Sequence, residues 1–548
     1  MSERVMGEKE AAPQQFSEIP VLVLKEGTKR AVGKEAVYIN INVATALMNS
    51  LKTTLGPKGF SKLLVDSLGD TTITNDGRAI LDDLDVEHPV ARILVDAARS
   101  EDKTIGDGTT SFVVLTGALL QKAVDLLDNG IHIGTIIEGY RRALEKALEE
   151  LDKLVVEIKG NEDDILYKIA HTSLNSKDVG RARDHFAKMA VSAMKSVARE
   201  VNGRVVADKD LVQIIKKQGK SLMESELVKG VVLDKEVVHP AMPKQIKGAK
   251  IALLNLPLEV KKTELDAEVR ITSPEEITRF LDEEERIIRE KVSKVIESGA
   301  NVVICQKGID DLAQLFLAKK GIMAVRRVKK SDMEKLAKAT GGRIISTLED
   351  LTPDVLGYAG LVEEIKIGED KLVYVRECKD PGAVSVVIRG GSEHVVDEAE
   401  RAMTDALSAV REAIQSRRIL PGGGASLVEL ATRIRKYAQS VGGKEQHAIE
   451  SYAKALEEIA KSLAENAGLD ILDVMAKLIA SHENGNKNAM VDLDTGEIVD
   501  AFEAGIIEPY TLIRNILRGA TETTEMILRV DDVVTAKSSA PEAGKTPK

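Results

Sequence analysis

Three glycine-rich segments carry the residue types that could do chemistry. In Gly106-Asp107-Gly108-Thr109-Thr110 a carboxylate is flanked by glycines, followed by two hydroxyls, and set just before the helical run 111–127. A helix start offers unpaired N–H groups to an anion, and a carboxylate beside it offers a hard oxygen to a cation, so a phosphate with its magnesium suits the segment. Simple helix capping by Asp107 suits it equally. Thr53-Thr54-Leu55-Gly56-Pro57-Lys58-Gly59 follows an amphipathic pattern. Gly56 can take positive φ and Pro57 cannot continue a helix, which leaves either a turn with free N–H groups or an ordinary helix end. Pro421-Gly422-Gly423-Gly424 opens the stretch 425–438, as a close backbone approach to a ligand or as a flexible linker. None of the three matches G-x-x-x-x-G-K-[ST] or G-x-G-x-x-G, which disfavours a P-loop enzyme or a Rossmann dehydrogenase.

The elements that must position these segments are mostly helical. Ile41, Ala44, Met48, Leu51 and Leu55 recur at helical spacing within 38–55, and helical patterns dominate to about residue 220 and again over 393–518. In the middle, short apolar runs at 249–256, 301–305, 322–326 and 343–346 alternate with helical stretches at 274–297, 309–319 and 331–339. That alternation predicts an α/β domain inserted in a helical chain. Ser273-Pro274-Glu275-Glu276 and Ser331-Asp332-Met333-Glu334 read as capping boxes, and Gly299 and Gly341 as the corresponding stops. Segments 1–19 and 536–548 read as polar tails, and no internal repeat is visible.

Composition narrows the function. The chain has 548 residues, of which 43% are hydrophobic and 30% charged, enough for several cores. A net charge of −11 argues against a nucleic-acid partner. Cys305 and Cys378 form no metal or disulfide pattern, and the eight histidines are scattered. No apolar run of membrane-spanning length or signal-peptide pattern is apparent, so no membrane partner is expected and a cytoplasmic location is. Aromatic residues make up 3% and Trp is absent, so a base-binding pocket must be aliphatic and backbone in character.

Taken in order, the motifs resemble the group II chaperonin family from about residue 20 to 535. Leu55 to Gly59, Val65-Asp66-Ser67, Asn75-Asp76-Gly77 and Gly106 to Thr110 resemble its N-terminal ATP-binding half, and Thr172-Ser173-Leu174-Asn175-Ser176-Lys177 its nucleotide-sensing loop. Val387 to Gly391, Asp397 to Ala402 and Pro421 to Ala425 resemble the return to the ATP site; Ala464 to Asp470 and Gly505 to Pro509 complete the set.

The resemblance implies an α+β multidomain fold. Its parts would be a mostly helical equatorial domain (1–151 and 409–548), a small intermediate hinge domain (152–221 and 373–408), and an α/β apical domain (222–372) with a helical protrusion at about 258–285. It implies ATP and Mg2+ as cofactors, with Leu55, Gly56 and Pro57 lining the nucleotide and Asp107 holding the metal. Gly108, Thr109 and Thr110 would hold phosphate oxygens, with Lys177 in the sensing loop. Gly422 and Gly423 would approach ribose and base, with Glu503 on the ribose side, and Asp66 and Asp405 would orient and activate water. By periodicity alone Asp405 lies opposite the apolar face of Val396, Ala399, Met403, Leu407, Val410 and Ile414 and reads as a surface carboxylate; the family implies that domain closure brings it to the γ-phosphate.

The implied partners are identical or paralogous subunits in two stacked rings and non-native client proteins, with strands near 20–24 and 526–534 meeting neighbours. The sequence departs from the family at Arg78 and Met490, where small residues are usual, and in the Ser416-Arg417-Arg418 connector. Those departures admit the alternative of a slow- or non-hydrolysing ring subunit acting as a holdase or structural partner of paralogues.

Overall fold

A computed structural model describes residues 29–66, 69–84, 86–160, 162–260, 274–379 and 381–535. Two separated stretches of chain build one helical core. Helices Lys34–Lys52, Pro89–Thr104, Thr109–Asp128 and Ile133–Leu154 pack with Ala425–Val441, Gly443–Leu456 and Tyr510–Leu528. At the centre, Thr109–Asp128 is apolar on nearly all sides and buries Phe112, Leu115, Leu119 and Leu120. Its length and composition would suffice to cross a membrane. Here its faces are covered by the helices at 34–52, 443–456 and 510–528. Tyr140 and Tyr452 meet edge to face, ring centres 5.6 Å apart. The Tyr140 hydroxyl donates to Leu119 O at 2.9 Å, so the buried polar atom is satisfied.

The middle of the chain forms the expected sheet. Gln245–Leu254 pairs in parallel with Val302–Cys305 and with Ile344–Ile345, and Val302–Cys305 with Met323–Val325. On the edge away from Val302–Cys305, which it shares with Ile344–Ile345, Gln245–Leu254 pairs antiparallel with Gly357–Ile367, followed by Asp370–Arg376 and Val231–Leu233. Helices Pro274–Glu297 and Asp311–Lys319 make the crossovers between parallel strands, and strands covered on both faces read as continuous apolar runs, as Val302–Cys305 does. A smaller sheet centres on Val384–Gly390, buried throughout, between Val212–Gln218 and Glu226–Val228. It feeds helix Glu393–Ser416, capped by the Ser392 hydroxyl, which packs on Glu162–Asn175 and Arg183–Val197.

Several boundaries differ from expectation. The helical pattern extended to residue 220 ends at Val197, because Ala198–Val201, Arg204–Ala207 and Val212–Gln218 are strands. The 331–334 segment is no capping box: the helix starts at Lys330 with extended Lys329 as its cap. Gly341 does stop that helix, at φ 72°. Of the other proposed box, Ser273 lies outside the described residues, while the helix spans Pro274–Glu297. The expected protrusion is entered after Leu258, which is fully buried and hydrogen-bonds Gly308; residues 261–273 lie outside the described residues, and Phe280 and Leu281 are exposed. The expected strand at 20–24 also lies outside them. The 526–534 segment divides between the end of helix Tyr510–Leu528 and strand Asp532–Thr535, which pairs with Lys29–Val32.

Candidate functional site

Two helices begin on left-handed glycines that open on one cavity of about 590 Å3. Gly108 (φ 84°) caps Thr109–Asp128 and Gly424 (φ 82°) caps Ala425–Val441, in neither case with a side-chain cap. The first N–H groups of Thr109–Asp128 are therefore available to an anion, with the positive end of the helix dipole behind them; at Ala425–Val441 the Ala425 N–H donates to Gly422 O at 3.1 Å, and the next turn's dipole end still faces the cavity. Asp107 is not the helix cap, and the triple glycine is no loose linker, since Gly422 N–H donates to Ile506 O at 2.9 Å.

A third wall comes from the Thr54–Lys58 turn. Helix Lys34–Lys52 is capped by Thr53, so Gly56, at φ 81°, belongs to the turn beyond it. Asn466 Nδ2 holds that turn by donating to Lys52 O (2.9 Å) and Leu55 O (2.8 Å). A Cβ on Gly56 would overlap the Leu463 side chain, and one on Gly108 would stand 2.6 Å from Leu512 Cδ1. Both glycines thus permit a backbone approach that no other residue would.

Among the charged side chains that line the cavity, Asp76, Asp107, Asp405 and Lys177 form one cluster. Lys177 Nζ lies 2.6 Å from Asp76 Oδ1 and 2.6 Å from Asp405 Oδ2. Asp76 also caps helix Gly77–Asp83, its Oδ2 accepting Ala79 N–H at 2.9 Å. Asp107 accepts from Ser173 Oγ at 2.8 Å and from Gly108 N–H at 2.6 Å. Burial pushes Asp405 well above the carboxylate range against the pull of Lys177, and raises Asp107 likewise. At Asp76 burial is outweighed by Lys177 and the Ala79 N–H, and its carboxyl falls below the usual value. Burial would lower Lys177, but the two carboxylates beside it hold it well above its usual value. A cation at this cluster would favour the charged forms of Asp107 and Asp405, which burial disfavours. Among the described residues no three His, Cys, Asp or Glu are grouped to hold a metal. The donor set suits Mg2+, which is commonly bound through one or two carboxylates together with substrate phosphates.

Leu55, Gly56, Pro57 and Asp107 line this cavity, as do Gly108, Thr109, Thr110, Lys177, Asp405 and Gly423. Three expected residues do not. Asp66 is exposed in the turn joining strands Lys62–Val65 and Thr71–Thr74, where its Oδ1 accepts Asp70 N–H at 2.8 Å. The carboxylate brought beside Asp405 is Asp76 instead. Glu503 is exposed in a turn closed by Asp500, whose Oδ1 accepts its N–H. The carboxyl that reaches the cavity near Gly423 is Glu508, on strand Ile507–Pro509. Burial, with Asp107 nearby, pushes Glu508 up to about 7 against the Gly423 N–H. Gly422 stands behind the wall, and a Cβ there would come 3.1 Å from Glu508 Cγ. Asp76 and Glu508 sat inside segments already singled out, Asn75-Asp76-Gly77 and Gly505–Pro509. Only tertiary packing shows that these two members of the segments face inward.

The departures also find places. Met490 is buried among Ala425, Ala501, Val499 and Ile506, its sulfur 3.2 Å from where a Gly423 Cβ would lie, and forms an aliphatic wall. Arg78 turns away from the cavity to pair with buried Asp102 and with Asp82. In the connector, Arg417 ends helix Glu393–Ser416 at φ 55°. Arg418 bonds Asp152 at 2.7 Å and lies over the Tyr510 ring at 3.9 Å.

Comparison with known proteins agrees with this architecture. Residues 47–538 match the TCP-1/cpn60 chaperonin family. The chain is 51% identical over 525 residues to thermosome subunit beta of Archaeoglobus fulgidus, covering 96% of each chain. It is 52% identical to the thermosome subunit of Methanopyrus kandleri, over 94% of this chain and 95% of the other. Thermosome subunit beta of Desulfurococcus mucosus is 53% identical over 91% of this chain and its whole own length. The helical halves flanking a sheet-containing insertion are those of a chaperonin, and the chain belongs to the TCP-1/cpn60 chaperonin family as a group II subunit.

Proposed function

We propose that this subunit binds and hydrolyses Mg2+-ATP in the cavity described above, and that hydrolysis drives a ring-shaped folding chamber to close over non-native proteins. The observation that carries the reading is the convergence of two uncapped helix N-termini, at Gly108 and Gly424, on a cavity that also holds Asp107, Asp76, Asp405 and Lys177. Asp107 would hold Mg2+, which supplies neutralisation of phosphate charge. Gly108, Thr109 and Thr110 would donate to phosphate oxygens. Asp405 and Asp76 would orient the attacking water and take its proton. Lys177 keeps both carboxylates in place and can turn an N–H toward the terminal phosphate. Leu55 and Met490 would face the base, and Glu508, in place of Glu503, would meet the ribose.

The boundaries of the equatorial, intermediate and apical parts remain those implied by the family; a helical core formed from residues 37–154 and 420–528, distinct from a core built mainly from residues 158–419, supports the separation of the equatorial part from the rest. Exposed apolar residues on two short two-stranded sheets, Leu63, Val65 and Ile73 on one and Val32 and Val534 on the other, support contacts with identical or paralogous subunits in stacked rings. The protrusion around 258–285 would form the lid, and the cytoplasm is the proposed compartment. All four charged groups of the site are in place, which favours hydrolysis over a passive holdase.

The test combines native mass spectrometry of the purified protein with and without Mg2+-ATP, phosphate release, and protease protection of a bound unfolded client. A ring that releases phosphate and shields its client only with ATP is expected. A stable ring without phosphate release would refute the proposed activity.

A further inference from the structure

Asp405 and Asp107 come from different stretches of chain, yet the reaction proposed above needs them at a fixed separation. Their segments are directly joined through Arg411. This residue lies on helix Glu393–Ser416, nearly two turns beyond Asp405. Its Nη2 donates to Thr104 O at 2.9 Å and to Ile105 O at 3.2 Å. Those carbonyls end helix Pro89–Thr104, where they lack partners in their own helix and carry the negative end of its dipole, so a guanidinium is doubly favoured there. The next two residues are Gly106 and Asp107.

Between the two ends of this clamp the surfaces touch. A Cβ on Gly106 would overlap the Ser408 hydroxyl and lie 2.9 Å from Ser408 Cβ, so the helix rests directly on the turn. Ala409, one residue further, lines the cavity. Glu412 Oε1 holds the guanidinium from the other side, 3.1 Å from Nε and 2.8 Å from Nη2. The Arg411 side chain is largely buried, at 14% exposure, so its geometry is set by packing as well as by hydrogen bonds.

We infer that Arg411 is a positioning residue for hydrolysis, clamping the helix that carries Asp405 onto the turn that carries Asp107. Arg411 is not among the residues that line the cavity; it sets the distance between the group that would take the proton and the group that would hold the cation. The inference rests on the reading of the cavity as an ATPase site.

The experiment compares the unsubstituted ring with Arg411→Ala and Arg411→Lys. Steady-state phosphate release gives kcat and KM, calorimetry gives Mg2+-ATP affinity, and native mass spectrometry gives assembly. A misplacement on the order of 1 Å costs about a hundredfold in rate, so Arg411→Ala is expected to lower kcat by about tenfold to a hundredfold. Affinity should stay within about twofold, because neither phosphate nor metal contacts are lost. Lysine can reach one of the two carbonyls, so Arg411→Lys should recover part of the rate. An unchanged kcat in Arg411→Ala overturns the inference. So does a parallel loss of rate, affinity and assembly in both variants, which would mean that Arg411 only holds the fold. Absence of phosphate release from the unsubstituted ring would instead defeat the ATPase reading, and the inference with it.

Discussion

Asp405 Oδ2 lies 2.6 Å from Lys177 Nζ, an ion pair between a helix of the central part of the chain and the loop following helix Glu162–Asn175. Lys177 holds Asp76 as well, so removing Asp405 does not strand a buried ammonium without a partner. Asp405→Ala should therefore fold and bind Mg2+-ATP nearly normally, while turnover falls at least ~100-fold because the group acts on the attacking water. Asp107→Ala should weaken Mg2+-ATP binding itself, since the oxygen proposed to hold the metal is lost. Calorimetry beside phosphate release separates the two; equal loss of binding in both would reverse the assignments.

The two aspartates of the N-terminal half should behave differently. Asp76→Asn keeps an oxygen to cap helix Gly77–Asp83 but loses the charge facing Lys177, and kcat should fall by about a hundredfold. Asp66→Asn, in an exposed hairpin turn, should leave kcat within about twofold. The reverse ranking would restore Asp66 as the water-activating carboxylate.

At Met490 the expectation concerns affinity. Its side chain fills space beside Gly423, and an overfilled pocket typically costs ~1–3 kcal/mol, roughly 5- to 150-fold in affinity. Met490→Gly should tighten ATP binding without changing kcat at saturation, because pocket shape acts alike on ground and transition states. Nucleotide titrations of both proteins at one Mg2+ concentration decide the matter, and equal or weaker binding by the glycine variant would show that the flexible thioether already makes room.

Glu508 carries a pH signature. Its carboxyl is raised from 4.5 to about 7 in the folded chain, by burial first and Asp107 second. A raised folded pKa means that the unfolded chain releases this proton more readily. The associated stability is complete below pH 4.5 and lost as pH rises through about 7. Glu508→Gln should thus stabilise the nucleotide-free protein at pH 8 relative to the unsubstituted chain, with the difference vanishing near pH 4.5. The gain should be about 1–2 kcal/mol, smaller than the shift alone implies because the group lines an open cavity. Thermal unfolding of both proteins across that range reads it directly, and a constant difference at all pH values would mean that Glu508 does not titrate in this window.

Local spacing determined most of the helices and the parallel part of the inserted sheet. Alternating apolar runs and helical stretches placed those parallel strands within a few residues, though not the antiparallel strands Gly357–Ile367, Asp370–Arg376 and Val231–Leu233, because a strand buried on both faces and an amphipathic helix each write their burial into neighbouring positions. The glycine segments marked the cavity-facing turns for the same reason: positive φ and close backbone approach are demands on single residues. What tertiary structure alone decided was which carboxylate faces inward. Asp66 and Asp76 stand in equally plausible segments of the sequence, as do Glu503 and Glu508, and nothing local separates them. Asp405, outside the apolar stripe of its helix, reads as solvated until Lys177, distant in sequence, is packed against it. A charged residue's burial depends on what the rest of the chain brings to it, and that information is not carried by its neighbours in sequence.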